Sequence, residues 1–238
     1  MNPAPCAFAQ SRCGGLALAV AGVDVVLRHT GALWIERDRV LVVADLHLEK
    51  GSAYAARGQM LPPYDTRETL RRLMLEVAAL APARLVLLGD TFHDGRGEAR
   101  LAGDDVEALR SLAAATDLVW IVGNHDEAGP AFLPGKVLAD LAVQALRLTH
   151  EPAGGPAPGE VAGHLHPCAK VRGRGAAVRR RCFITDGERL ILPAFGAYAG
   201  GLNVLDAAYQ GLFVRPPLAV ALGATRAHAV GWPSLRPD

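Results

Sequence analysis

The sequence predicts an α/β protein whose early part repeats strand–helix–strand and whose later part is richer in β-structure. Three observations carry that expectation. Residues 40–44 (VLVVA), 85–88 (LVLL) and 118–122 (LVWIV) are apolar throughout, as strands covered on both faces are. Between the first two, Leu70, Leu73, Met74, Val77 and Leu80 fall on one stripe of a helix. Residues 183–185 and 190–192 flank Asp186-Gly187, a signal for a tight hairpin.

The remaining elements follow in order. Residues 16–27 are apolar but are broken by Gly22 and Asp24 and have no basic cluster before them, so they do not read as an export signal. Asp65 and Glu68, just after Pro62-Pro63, predict a capping box for the first long helix. A second helix should carry Val106, Leu109, Leu112 and Ala113. Residues 146–149 (LRLT) and the short run 161–163 read as strands, with 153–160 (AGGPAPGE) as a loop between them. One domain over residues 1–217 is expected, with 218–238 as a partly ordered C-terminal extension.

Composition excludes some classes without naming a function. Half of the 238 residues are hydrophobic and 21% are charged, which argues against disorder. The 24 acids and 25 bases nearly cancel, so global charge names no partner. The bases are almost all arginine, the only lysines being Lys50, Lys136 and Lys170. Cys6, Cys13, Cys168 and Cys182 form no C-x-x-C pair and read as free thiols of a reducing compartment. No run approaches the ~18–20 apolar residues that cross a bilayer. A cytoplasmic location is the resulting expectation.

The chemistry stands at the ends of the strands. After 40–44 come Asp45 and His47; after 85–88 come Gly89 and Asp90; after 118–122 come Gly123, Asn124, His125 and Asp126. His150 follows 146–149, and His164 and His166 follow 161–163. Open α/β sheets bind ligands beyond the carboxyl ends of their strands, so five segments would deliver these groups to one place. Carboxylate, amide and imidazole donors together suit Mn²⁺, Fe²⁺, Zn²⁺ or Co²⁺. Seven donors exceed one tetrahedral site and match two five- or six-coordinate ions that share a ligand. Each fragment alone has a bland reading as an ordinary loop. The ordered set does not, because it and its surroundings hold six of the eight histidines (His47, His93, His125, His150, His164, His166).

The ordered motifs D-x-H, G-D, G-N-H-D, H and G-H-x-H, spanning Asp45 to His166, resemble the calcineurin-like metallophosphoesterases. That resemblance implies two β-sheets flanked by helices (αββα), with two metals at the strand ends. It implies Asp45, His47 and His166 on one metal, Asn124, His150 and His164 on the other, and Asp90 bridging. It also implies that His125 is no ligand, which makes it the candidate acid for the leaving oxygen. Asp126 would either hold the other ring nitrogen of His125 or cap a following helix. A water bridging the two metals would be acidic enough to supply the hydroxide that attacks phosphorus. In the second motif, His93 stands where an acid is common and Asp94 follows it. Either is expected to orient a ligand or a metal-bound water.

Two features bear on the substrate. Residues 170–181 (KVRGRGAAVRRR) hold six bases and no acid, and Lys170, Arg172 and Arg174 would share one strand face suited to a nucleic-acid backbone. Further stretches, ADLHLEKG (44–51), RGQMLPPYDT (57–66), GDTFHD (89–94), GHLHP (163–167), RCF (181–183) and LPAFGAYAGGLN (192–203), are similar to the bacterial ligase-associated DNA damage response endonucleases. That resemblance implies a manganese-dependent phosphodiesterase acting on single-stranded or structured DNA, with Fe²⁺, Zn²⁺, Co²⁺ or Ni²⁺ as other metals. It implies functional association with an ATP-dependent DNA ligase, a helicase and an exonuclease. It also carries over Arg57, Gln59, Tyr64 and Tyr198, without a role derived for them. The alternatives are a phosphomonoesterase or small-nucleotide phosphodiesterase with the same centre, and a non-catalytic nucleic-acid-binding scaffold.

Overall fold

The computed structural model of the chain describes residues 7–172 and 176–238. Its first sheet runs in chain order: β1 (Phe8–Gln10), β2 (Leu16–Val20), β3 (Val23–Leu27), β4 (Leu33–Ile35), β5 (Val40–Ala44), β6 (Arg84–Leu88), β7 (Asp117–Ile121) and β8 (Lys136–Leu138). Strands β1 to β5 pair antiparallel, and β5 to β8 pair parallel. Parallel pairing needs crossovers. They carry α1 (Lys50–Ala55) and α2 (Asp65–Leu80) after β5, then α3 (Gly97–Arg100) and α4 (Gly103–Ala115) after β6.

The second sheet is mixed. It comprises β9 (Asp140–Val143), β10 (Leu146–Thr149), β11 (Glu160–Ala162), β12 (Pro167–Arg172), β13 (Ala177–Thr185), β14 (Leu190–Ile191), β15 (Leu202–Asn203), β16 (Leu218–Leu222) and β17 (Ala227–Val230). The stretch expected as a partly ordered extension is thus built into this sheet: β16 pairs with β13 and β17 with β16. The alternating Ala219, Val220 and Ala221 are buried there, which is enough apolar surface to order the segment. The Asp186-Gly187 turn joins β13 to β14 as expected, with the Asp186 carboxylate accepting the Glu188 and Arg189 amides.

Strand periodicity makes the layers. Val40, Val42 and Ala44 of β5 point toward the second sheet and join Leu148, Val161 and Phe183 in the core between the sheets. Leu41 and Val43 point the other way, onto Leu70 and Leu73 of α2. Burying each of those leucines contributes about 1.5–3 kcal/mol. The outer face of the second sheet packs Ile184 and Ile191 against Tyr209, Leu212 and Leu235, which lie in loops and short 3₁₀ turns. The architecture is that of the metallophosphoesterase sandwich, and among the described residues the α-helices connect strands of the first sheet, with α2 and α4 packed on its outer face.

One local expectation is corrected. Asp65 does not cap α2: its carboxylate accepts the amide of Gly51 at 3.0 Å, tying the start of α1 to the start of α2. Glu68 pairs with Arg71 instead of reaching back to the helix start. Cys13, Cys168 and Cys182 are free thiols, and Cys6 lies outside the described residues.

Candidate metal centre

The loops after β5 and β6 run side by side. The amides of His47 and Leu48 donate to the carbonyls of Asp90 and Thr91, and the His93 amide donates back to Leu48. This pairing sets the first two motifs against each other. Within the motifs, the middle residue is an anchor. Leu46 of Asp45-Leu46-His47 is buried in the helix-side core, and Leu165 of His164-Leu165-His166 packs behind the second sheet. Asp45, His47, Asp90, His164 and His166 all have left-handed backbones, with φ between 44° and 66°. Non-glycine residues pay roughly 1–3 kcal/mol each for such conformations, which persist where the surroundings fix them and cluster at functional sites.

The motif glycines explain the interlock. A Cβ on Gly89 would lie 2.0 Å from His150 Nδ1, one on Gly123 2.3 Å from Asp90 Oδ1, and one on Gly163 2.7 Å from Asp45 Oδ2. Each glycine therefore clears space for a functional side chain that another motif supplies.

Two clusters result. In the first, His47 Nε2 faces His166 Nε2 at 3.2 Å, and His166 Nε2 lies 3.3 Å from Asp45 Oδ1. In the second, the Asn124 side-chain oxygen lies 2.9 Å from His150 Nε2 and 3.0 Å from His164 Nδ1. Asp90 stands between them, with Oδ1 3.3 Å from His150 Nε2 and Oδ2 3.9 Å from His47 Nε2. The structure thus brings together Asp45, His47, Asp90, Asn124, His150, His164 and His166.

This donor set fits two divalent ions. Imidazole nitrogens 3.2 Å apart, at His47–His166 and at His150–His164, converge lone pairs that a shared cation satisfies. The protonation states of His47 and Asp90 agree, whereas His150 would have to release a proton to ligate. Burial, reinforced by His166, pushes His47 down to about 3, so its ring is neutral and free to ligate. Burial would raise Asp90, but hydrogen bonding and charge from His150 dominate and hold it at about 2, ionised. His150 moves up, because Asp90 and Asp45 outweigh the effect of its burial.

His125 sits beside the centre. Its amide donates to Asp90 Oδ1 at 2.9 Å, and its Nδ1 donates to the His93 carbonyl at 2.6 Å. That bond turns Nε2 toward Asp90, 3.9 Å from its Oδ2, with the side chain 38% exposed. His125 is therefore placed to exchange a proton with a bound substrate. Its orienting group is not Asp126. Asp126 Oδ1 accepts the Gly123 amide at 3.0 Å, and Oδ2 accepts Thr91 and Phe92 at 2.8 and 3.1 Å. It caps no helix either; it ties the loop after β6 to the loop after β7. Burial raises its pKa, and the three amides pull against that rise.

The remaining expected residues divide. The His93 ring lies 5.7 Å from that of His47 and 5.5 Å from that of His125, inside the site. Burial lowers its pKa, with further lowering from Lys50, His125 and Arg57. Asp94 turns away: it accepts from Arg100 and the Arg96 amide, and Arg100 continues to Ser52. It braces α3 against α1, and that contact orients no ligand. Arg57, Gln59 and Tyr64 are exposed between α1 and α2. Tyr198 is half-buried, and its carbonyl accepts from Lys50 at 3.2 Å.

In the basic segment, Lys170 and Arg172 share one face of β12, and Lys170 lies directly across from Arg179. Arg174 lies outside the described residues. Arg181 is largely withdrawn from solvent; its guanidinium donates to the carbonyls of Ala194, Ala197 and Ala199, fixing the loop that carries Tyr198. The sequence carries no signal for that clamp, and Lys50 stands within ADLHLEKG without an assigned role. The signals for Lys50 were its place in that stretch and the rarity of lysine in this chain.

Paired His/Asp clusters joined by one carboxylate define a hydrolase-type binuclear metal site. The chain belongs to the calcineurin-like phosphoesterase family, whose model matches residues 38–173; that family uses a dinuclear metal centre. Among solved structures, it is similar to Pseudomonas putida nuclease MPE, with 28% identity, a TM-score of 0.71, and coverage of 90% of this chain and 100% of that one. YfcE, a phosphoesterase from E. coli, aligns at 18% identity with a TM-score of 0.40, over 80% of this chain and 97% of its own. That second likeness is too distant to carry an argument. No curated protein matches the sequence significantly. Among the described residues, no helix is long and apolar enough to cross a membrane.

Proposed function

We propose that the protein is a metal-dependent phosphodiesterase that cleaves DNA. The observation that carries this reading is the similarity to a nuclease along 90% of the chain, with the binuclear donor set intact. When bound, the two metals would supply Lewis acidity toward the phosphate and an activated water. Manganese is the proposed ion, since oxygen and imidazole donors without thiolate suit it.

The chain's own residues do the rest. Asp45, His47 and His166 would hold one ion, and Asn124, His150 and His164 the other, with Asp90 between them. The His93 carbonyl keeps His125 Nδ1 protonated and aims Nε2 at the leaving oxygen. As the imidazolium, His125 would donate its Nε2 proton there as the P–O bond breaks, keeping the Nδ1–H on the carbonyl. Lys170 and Arg172 share one face of β12, starting four residues after His166, and two cations on one strand face favour a polyanion. The proposed setting is cytoplasmic DNA repair alongside an ATP-dependent ligase, a helicase and an exonuclease.

The test compares bis-p-nitrophenyl phosphate with the mono-ester, then single-stranded and hairpin DNA, all with Mn²⁺. Diester hydrolysis and DNA cleavage are expected, both abolished by chelation. Intact DNA at saturating metal, with rapid mono-ester turnover, would mean a phosphomonoesterase instead.

A further inference from the structure

Beside the metal centre lies a positive group that metal ligation does not use. Lys50 and Tyr54 stand one turn apart on α1 and so share a face. The Lys50 ammonium lies 5.9 Å from the Tyr54 ring, and the Tyr54 ring lies 5.7 Å from that of His93. His93 in turn borders both His47 and His125. Lys50 is thus two rings out from the first metal cluster, held in place by the Tyr198 carbonyl. Arg57 follows in the turn after α1, near enough for its charge to act on His93.

The surrounding acids are all committed elsewhere. Asp45 and Asp90 face the metal clusters, Asp126 takes three amides, and Asp94 takes Arg100. Glu49, next in sequence to Lys50, accepts from Ser52 and Thr66. Among the described residues, no carboxylate lies within ion-pair distance of Lys50 or Arg57. Two divalent ions against Asp45 and Asp90 already leave the centre net positive. The activated water, as hydroxide, and a single diester group would together offset that charge, so two further unpaired cations at the rim call for more anion than one phosphate supplies. An ammonium on a flexible stem is a common phosphate ligand, and two of its three N–H donors remain free here.

We infer that Lys50, supported by Arg57, holds the phosphate adjacent to the scissile one, so that the site selects polynucleotides over isolated diesters. This rests on the nuclease reading and gives that site its substrate selectivity. Tyr198 contributes its carbonyl, which fixes the ammonium.

The experiment uses two dinucleotides, thymidylyl-thymidine with its single diester and the same molecule carrying a terminal phosphate. The wild-type enzyme should prefer the second in kcat/KM. Lys50→Met should lower that preference by about tenfold or more, the weight of one charge-assisted hydrogen bond. Lys50→Arg should retain most of it, and Arg57→Met should lower it a few-fold. A second readout needs no turnover: binding of a labelled oligo-dT to metal-free protein across a salt series. Losing one phosphate contact should reduce the log–log slope by about 0.7. An equal Lys50→Met loss on both dinucleotides, or an unchanged salt slope, would overturn the inference. Wild-type protein that cleaves bis-p-nitrophenyl phosphate but no nucleotide would instead overturn the nuclease reading, while the salt slope still decides the role of Lys50. Wild-type protein that cleaves DNA with Mn²⁺ but does not bind oligo-dT in its metal-free form overturns the role of Lys50 and leaves the nuclease reading standing.

Discussion

Replacing Asp126 separates two roles for that residue that make opposite demands on the data. If its carboxylate oriented His125, Asp126→Asn would spare the fold and slow only substrates whose leaving oxygen needs a proton. The geometry says otherwise, since three backbone amides, of Gly123, Thr91 and Phe92, terminate on its two oxygens. Asparagine keeps one acceptor oxygen. In its better orientation the oxygen retains Thr91 and Phe92, and the amide group then meets the Gly123 N–H donor to donor. That costs about 2 kcal/mol for a buried charge-assisted bond lost. Alanine bares all three amides, at about 1–3 kcal/mol each, so about 5 kcal/mol is expected. For a chain of this size those losses correspond to falls in Tm of roughly 4–8 °C and 10–20 °C. The braced loops carry Asp90 and Asn124, so metal affinity should fall with stability. Thermal unfolding of the metal-free protein, Mn²⁺ calorimetry, and kcat/KM with aryl and alkyl leaving groups make the assay. The expected pattern is a graded loss of stability and affinity with an unchanged aryl-to-alkyl ratio. An asparagine variant that melts with the parent yet selectively loses the alkyl substrate would refute this reasoning.

His125→Ala should behave the opposite way, slowing a poor leaving group by about 10²–10⁴-fold and an activated aryl ester far less, with Tm nearly unchanged; equal losses on both would remove the acid role. Gly89→Ala and Gly22→Ala share a left-handed backbone, at φ 71° and 77°, but only the first would drive a Cβ into another residue, His150 Nδ1 at 2.0 Å. Urea unfolding should show about 1 kcal/mol lost at Gly22 and about 3 kcal/mol or more at Gly89, the difference being the crowding alone. Because His150 is shifted above the usual imidazole value of 6.5, it must give up its proton for a metal, whereas His47 and Asp90 are already deprotonated near neutrality. Mn²⁺ affinity by calorimetry should therefore weaken as pH falls through that raised value, beginning above about 6.5. The raised His150 stabilises the metal-free fold fully below its unfolded value, and that contribution is lost as pH rises through the folded one. A metal affinity flat between pH 8 and 6 would contradict this.

The contrast between Asp45 and Asp126 shows which parts of such a site a sequence can carry. Asp45 was legible because it ends an apolar strand, and strand ends converge by the general geometry of parallel sheets. The same logic found Asp90, Asn124, His150, His164 and His166, and the hydrophobic periods found β5, β6, β7, α2 and α4. Asp126 was read through its neighbour His125, and adjacency is a poor guide in a turn, where successive side chains diverge. Its partners, Thr91 and Phe92, belong to another loop 35 and 34 residues away. Periodicity likewise placed Lys170 and Arg172 on one strand face but could not say that Arg181 would be taken up by three carbonyls. The residues β16 and β17 contain looked like a tail because each run is too short to bury itself. Pairing with β13 supplies the surface they lack. The glycines make the strongest case. Gly89, Gly123 and Gly163 stood in the sequence only as letters of their motifs, yet each is required by the side chain of a different motif, at His150, Asp90 and Asp45. Local rules thus locate the residues that do the chemistry, while the groups that hold them in register are set by contacts between motifs. It follows that substitutions at those glycines and at Asp126 should impair the metal centre without removing a single ligand.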